Sequence, residues 1–340
     1  MAVLQTSACS PDGKLVAGGR AIGNVVFVYE LPSGRLKKTL AGELNDISIA
    51  TTSLSFSADS VFLAAAGIDN MVVVWDMRTD KIVLRLPDMK GALALAFSPT
   101  LGALAVSGPG NGVTLVSVPE GRQIGQLSGH SAPVLAMAFS PDGNLLATGS
   151  SDKTTRIWNI ADRQPLRTLE GNAYPVHSVS FSPDGSMLAT YAGEIKLWGD
   201  RGDGGRRLAL PEPKISPAEA AGVIVMSIPM PLLLVLLDPD SPVANARAVA
   251  SKRLPLAFSP NGIVLAVVRY KERLNAYEIV LHDFASNTTK TIACQCMALS
   301  FNPDGTILAA VGSFGAIGLG APLRLLDPST GTWLDTQAKK

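Results

Sequence analysis

"HSAPVLAMAFSPDGNLLATGSSDKTTRIWNI", residues 130 to 160, places a histidine, several serines and an aspartate in one short stretch, so it reads either as a reaction centre or as scaffolding. The apolar residues decide between the two. Leu135, Met137 and Phe139 alternate in phase, which is the period of a strand. In "FSPDG" the proline presets φ for the second turn position, the aspartate can bond its own backbone, and the glycine accepts positive φ without steric cost. A hairpin is therefore predicted at this point. The strand after it, "LLATGS", is almost wholly apolar, as a strand buried on both faces must be. "TTRIWNI" and the more polar "QPLRTL" supply a third and a fourth strand.

The same cadence recurs. "CSPDG", "FSADS", "FSPTLG", "FSPDG", "FSPDG", "FSPNG" and "FNPDG" begin at positions 9, 56, 97, 139, 181, 258 and 301, so five of the six spacings lie between 41 and 47 residues and one is 77. A period in the low forties is the signature of four-stranded propeller blades. The predicted fold is all-β, a seven-bladed β-propeller of four-stranded antiparallel blades forming one domain over residues 1–340. Residues 200–250 form an insertion or a degenerate blade between blades five and six. If residues 208–250 make a blade, the ring has eight; seven is preferred.

Composition narrows the function classes. The 340 residues are 47% hydrophobic and 17% charged, with 32 Gly and 23 Pro, which suits extensive burial and many tight turns. Lys and Arg number 29 against 28 acidic residues, so no global field draws the chain to nucleic acid, and no nucleic-acid partner is expected. Cys9, Cys294 and Cys296 are too few for a disulfide framework, and "CQC" has no second Cys or His cluster to complete four metal ligands; small strand residues are the reading there, with no metal and no cofactor. The start lacks a basic region followed by an apolar run, so a reducing, cytoplasmic home is the expectation, with a nuclear one as alternative. "NTT" at Asn287 and "RGD" at 201–203 are read as coincidences.

The chain resembles the WD-repeat β-propeller family through "GH" at 129–130, the "FSPDG" turns, "LATGSSDKTTRIWN", "WD" at Trp75 and Asp76, "WN" at 158 and "WG" at 198. Blades one, three, six and seven depart from the pattern, with Tyr29, Val116, His282 and Leu326 near the tryptophan place. The resemblance implies a hydrogen-bonded tetrad inside blade four, formed by His130, Ser150, Asp152 and Trp158. A structural role fits the physics, because a buried carboxylate needs donors and an indole N–H needs an acceptor, whereas a nucleophilic triad needs its serine exposed to substrate. No catalytic residue is expected. Blade five carries Asn172 at the histidine place and blade two carries Gly67 at the serine place; His177, in strand phase with Phe181, is read as a buried packing residue of the core, and His282 as structural.

"AAGVIVMSIPMPLLLVLL", residues 220–237, is long enough for a membrane span, but its prolines, its "VIV" run and the lack of flanking basic residues favour two strands over a membrane contact. Ring closure is expected to rest on side-chain packing of blade one against blade seven alone, a weak seam. Function follows from loops on a rigid disc: a non-catalytic scaffold that docks partner proteins or peptides, with Arg20, Asp69, Tyr174, Tyr191, Arg269 and Tyr270 as the binding face and no small-molecule substrate. The alternative is a membrane- or phosphoinositide-recruited adaptor, although "GGRR" at 204–207 lacks the leading Phe of that motif. A propeller hydrolase is disfavoured because the inner strands end mostly in Gly, Ala and Ser.

Overall fold

A computed structural model describes residues 4–20, 25–41, 51–68, 71–89, 92–199, 206–208, 256–271, 276–294, 296–312 and 323–334. Among these residues lie seven four-stranded sheets, each with its strands hydrogen-bonded in chain order. Every pairing is antiparallel, and apart from two short 3-10 turns at Pro87–Met89 and Pro109–Asn111 no helix interrupts them. The protein is a seven-bladed β-propeller. Blade four shows the plan, with an inner strand Val134–Phe139, a second strand Leu145–Ser150, a third Thr155–Asn159 and an outer Pro165–Leu169.

One register runs through all seven blades. Opposite the tryptophan place stands a buried aliphatic residue of the second strand: Leu63 faces Trp75, Leu146 faces Trp158 and Leu188 faces Trp198. The departures keep the register, since Val16 faces Tyr29, Leu104 faces Val116, Leu265 faces His282 and Leu308 faces Leu326. The second strands are buried along almost their whole length, so both faces are covered by neighbouring blades. Alanine is frequent there because two sheets about 10 Å away leave little room for larger side chains on both sides.

The sequence signature builds the turn chemically. In blade four Ser140 Oγ donates to Asp142 Oδ1 at 2.5 Å and accepts from Leu145 N at 2.9 Å, while Gly143 takes φ of 74°. Ser10, Ser57 and Ser182 make the same bond to Asp12, Asp59 and Asp184, and Ser259 makes it to Asn261. In blade seven Asn302 stands in for the serine, its Oδ1 accepting from Ile307 N. The turns also touch one another around the ring: Pro141 lies against Gly185, Pro183 against Gly262, Pro260 against Gly305 and Pro303 against Gly13.

Two expectations are corrected here. The outer strand of blade five is Arg206–Leu208, paired with Ile195–Leu197, so the first part of the 200–250 insertion belongs to a blade. The segments 208–250 and 220–237 otherwise fall beyond the described residues; among the described residues no helix is long and apolar enough to cross a membrane. The seam is more than packing. Cys9 N donates to Ser300 Oγ at 2.9 Å, and Val16, Tyr29, Ala309, Val311, Leu323 and Leu325 form one core across blades one and seven.

Candidate functional site

The polar cluster of blade four is the first candidate. His130 is 8% exposed, Thr148 and Ser150 are fully buried, and Trp158 is 1% exposed. His130 Nδ1 lies 2.7 Å from Asp152 Oδ2, and His130 Nε2 lies 2.8 Å from Thr148 Oγ1. Trp158 Nε1 donates to the same Thr148 oxygen at 2.9 Å. With the imidazole neutral, protons run in one direction: Trp158 N–H to Thr148, Thr148 O–H to His130 Nε2, and His130 Nδ1–H to Asp152, a tautomer assigned from the network.

The structure thus brings His130, Asp152 and Trp158 together through Thr148, not through Ser150. Ser150 Oγ donates to Ala132 O at 2.9 Å and accepts from Asp152 N at 3.1 Å, which fastens the turn but does not reach the indole. The reason is strand geometry. Leu146 faces Trp158, Thr148 is the next residue on the same face, and Ser150 lies about 7 Å further along. A signal for Thr148 was present in "LATG" and "LATY": in blade five Trp198 Nε1 donates to Thr190 Oγ1 at 3.0 Å, again two residues past the leucine opposite the tryptophan.

The electrostatics match a brace. Burial raises Asp152, but hydrogen bonds from Thr154 and His130 outweigh it and hold the carboxyl down at about 2. Burial pushes His130 below its ordinary value against the opposing effect of Asp152. A neutral imidazole wedged between a carboxylate and a threonine, with no contact to the buried Ser150 hydroxyl, cannot activate that serine as a nucleophile.

His282 behaves similarly in blade six: it is 6% exposed, sits 3.2 Å from Thr289 Oγ1 and meets Phe284 edge to face. His177 differs from its expected place in the core. It is half-buried and lines the central channel, a cavity of about 220 Å³ whose wall also holds Ser7, Ser53, Met137, Ser178 and Met297.

The second candidate is the face carrying the second-to-third and blade-to-blade connections, which share one end of an antiparallel meander. Tyr174 lies in the connection from blade four to blade five and is 62% exposed. Its ring rests on Gly193 of blade five, where an added Cβ would meet Cδ2 at 2.7 Å. Lys153, in the second-to-third connection of blade four, is exposed, its carbonyl accepting from Asn172 Nδ2 at 3.0 Å. Tyr191, at the end of blade five's second strand, is partly buried against Ile195 and Phe258, and that burial raises its phenol. Arg269 is tied to the buried Glu278, with Nε 2.6 Å from Oε1. These two are therefore more enclosed than the exposed anchors expected of them. Arg20 ends blade one's second strand and Tyr270 pairs with Tyr277; their side chains, and Asp69 altogether, lie outside the described residues.

Comparison with known proteins agrees with this architecture. The family model described as "WD domain, G-beta repeat" matches residues 34–76, 121–159 and 163–199. Each matched segment begins at the outer strand of one blade and ends at the third strand of the next. The chain is 32% identical over 123 residues to "Periodic tryptophan protein 2 homolog" of Schizosaccharomyces pombe, a match covering 36% of this chain and 14% of that protein. It is 29% identical over 126 residues to the protein of the same description in Mus musculus, covering 36% of this chain and 13% of the relative. The matched stretch thus spans about a seventh of the length of these curated relatives. Three repeats similar to the WD domain, G-beta repeat, are thus set in a ring of seven blades that share one register.

Proposed function

We propose that this propeller is a non-catalytic scaffold that docks partner proteins or peptides on the face bearing the second-to-third and blade-to-blade loops. The carrying observation is that the groups resembling a reaction centre are satisfied internally, His130, Thr148, Asp152 and Trp158 bonding one another, while Tyr174 stands exposed on the loop face. Rigid aromatic side chains on a stable scaffold are the usual anchors of interfaces. The proposed setting is cytoplasmic, with the nucleus as the alternative.

The test is affinity capture by wild type, by Tyr174→Ala and by Tyr174→Ala with Lys153→Glu, the latter two first shown to be folded. Loss of a partner set with both variants supports docking at the junction of blades four and five. A partner set unchanged in both places docking elsewhere. Turnover of a hydrolase substrate by the purified chain, abolished by His130→Ala, contradicts the non-catalytic reading.

A further inference from the structure

We propose that Cys294 and Cys296 form a site of reversible thiol–disulfide exchange, with Cys294 as the point of attack by a small thiol and Cys296 as the resolving sulfur. The two sulfurs are bonded in the structure. Cys294 ends the outer strand of blade six, paired with Tyr277, and Cys296 opens the inner strand of blade seven, paired with Gly312. The bond sits at the crossing from one blade to the next.

Three observations point to exchange rather than to a structural staple. The loop it closes has a sequence separation of 2, and because the stabilisation from cross-linking grows with loop length, so small a ring restrains the unfolded chain very little. Both sheets are held by their own ladders, six further pairs beyond Tyr277–Cys294 in blade six and four beyond Cys296–Gly312 in blade seven, so the fold does not need the bond. The two sulfurs also differ in access. Cys294 is half-buried, whereas Cys296 is fully buried in the apolar core with Leu299, Phe301 and Leu308. Attack is therefore directed to Cys294, and access is one determinant of which sulfur reacts.

The third cysteine does not compete. Cys9 lies against Ser300, four residues along the strand that begins at Cys296 and so about 13 Å away, beyond disulfide reach. Burial pushes its thiol up to about 12.

The reaction balances with glutathione alone. One glutathione thiolate attacks Cys294 Sγ, the protein S–S bond breaks, and Cys296 Sγ leaves as a thiolate and takes a proton. A second glutathione thiolate attacks the glutathione sulfur of the mixed disulfide and releases oxidised glutathione and the Cys294 thiol. The protein gains two electrons and two protons, and the reverse direction consumes oxidised glutathione.

The full chain, equilibrated in buffers of stepped reduced-to-oxidised glutathione ratio, is quenched with acid, alkylated and mapped by peptide mass, with far-ultraviolet circular dichroism recorded at each step. The bond is expected to open and re-form across the series with the sheet signal unchanged. In Cys296→Ser, glutathione is expected on Cys294, with native alkylation there roughly tenfold or more faster than at Cys9. If Cys296→Ser fails to fold, native alkylation of the reduced wild type reads the same preference. The proposal is overturned if both thiols stay free at every ratio, if the bond resists the most reducing ratio or opens only with loss of the sheet signal, or if the adduct maps to Cys296.

Discussion

Thr148 does the work that its serine neighbour seemed fitted for. Its hydroxyl serves an indole and an imidazole that are both buried, so removing it leaves two polar groups without partners. Thr148→Val keeps the shape and is expected to cost about 2–6 kcal/mol of unfolding free energy, from about 1–3 kcal/mol for each of the two buried groups left unsatisfied. Ser150→Ala removes one bond each way in the turn and is expected to cost about 1 kcal/mol. Urea unfolding of both variants checks the order; a larger loss for Ser150→Ala would restore the serine to the centre of the cluster. Acid sensitivity follows from the same residues. Asp152 is held down at about 2 in the folded state, so its contribution is present above the unfolded carboxylate value near pH 4 and is lost as pH falls towards 2. His130 is also depressed, so the folded state binds its proton less readily than the unfolded chain, and stability falls as pH drops below the ordinary histidine value of about 6.5. Unfolding midpoints measured from pH 7 to pH 3 should decline in wild type, and the part of that decline below pH 4 should shrink in Asp152→Asn. The family resemblance pointed to His130, Asp152 and Trp158 of this cluster but to Ser150 in place of Thr148, because a motif counts residues while the indole meets whichever hydroxyl the strand face presents.

The hairpin motif explains why the elements could be read so directly. Proline, aspartate and glycine each have a local physical reason to sit where they do, and those reasons hold without knowledge of the tertiary fold. The register between the turn and the third strand survives even where tryptophan is replaced by Tyr29, Val116, His282 or Leu326, since any large side chain opposite the buried aliphatic residue can fill the same space. Outer strands were harder. In blades one to four the register slips by one residue just at the tryptophan place, between Val28 and Tyr29, Val74 and Trp75, Leu115 and Val116, and Ile157 and Trp158. A bulge of that kind twists the exposed edge of each blade and leaves little trace in composition. The short outer strand of blade five, Arg206–Leu208, went unseen for a similar reason: three residues are too few to show a period. At the turns, Ser140→Ala removes the acceptor of Leu145 N and the donor to Asp142, and a loss of about 1–2 kcal/mol is expected by urea unfolding. Gly13 is a sharper case, with φ of 72° and an added Cβ only 3.2 Å from Pro303 Cδ. Gly13→Ala should cost about 1–2 kcal/mol from the backbone conformation alone and more from the contact with blade seven.

That contact belongs to the closure of the whole ring. Among the described residues each blade comprises four consecutive strands, and the last sheet is completed by its own strand Thr332–Leu334. Periodicity leaves the blade count at seven or eight with seven preferred, and the side chains that join first blade to last depend on packing that no local pattern encodes. Those side chains repeat the devices used elsewhere. Ser300 Oγ accepts from Cys9 N as Ser55 Oγ accepts from Phe97 N between blades two and three, and Pro303 lies on Gly13 as Pro141 lies on Gly185. The seam is therefore one more blade interface, and the ring is closed by the same physics that stacks its members. Native-state hydrogen exchange resolved to individual amides tests this most directly. The inner strand of blade one, Leu4–Cys9, is predicted to be protected within about tenfold of the inner strand of blade four, Val134–Phe139, the two opening in one cooperative unit. Rapid exchange confined to blades one and seven, with blade four still protected, would contradict a ring closed in this way.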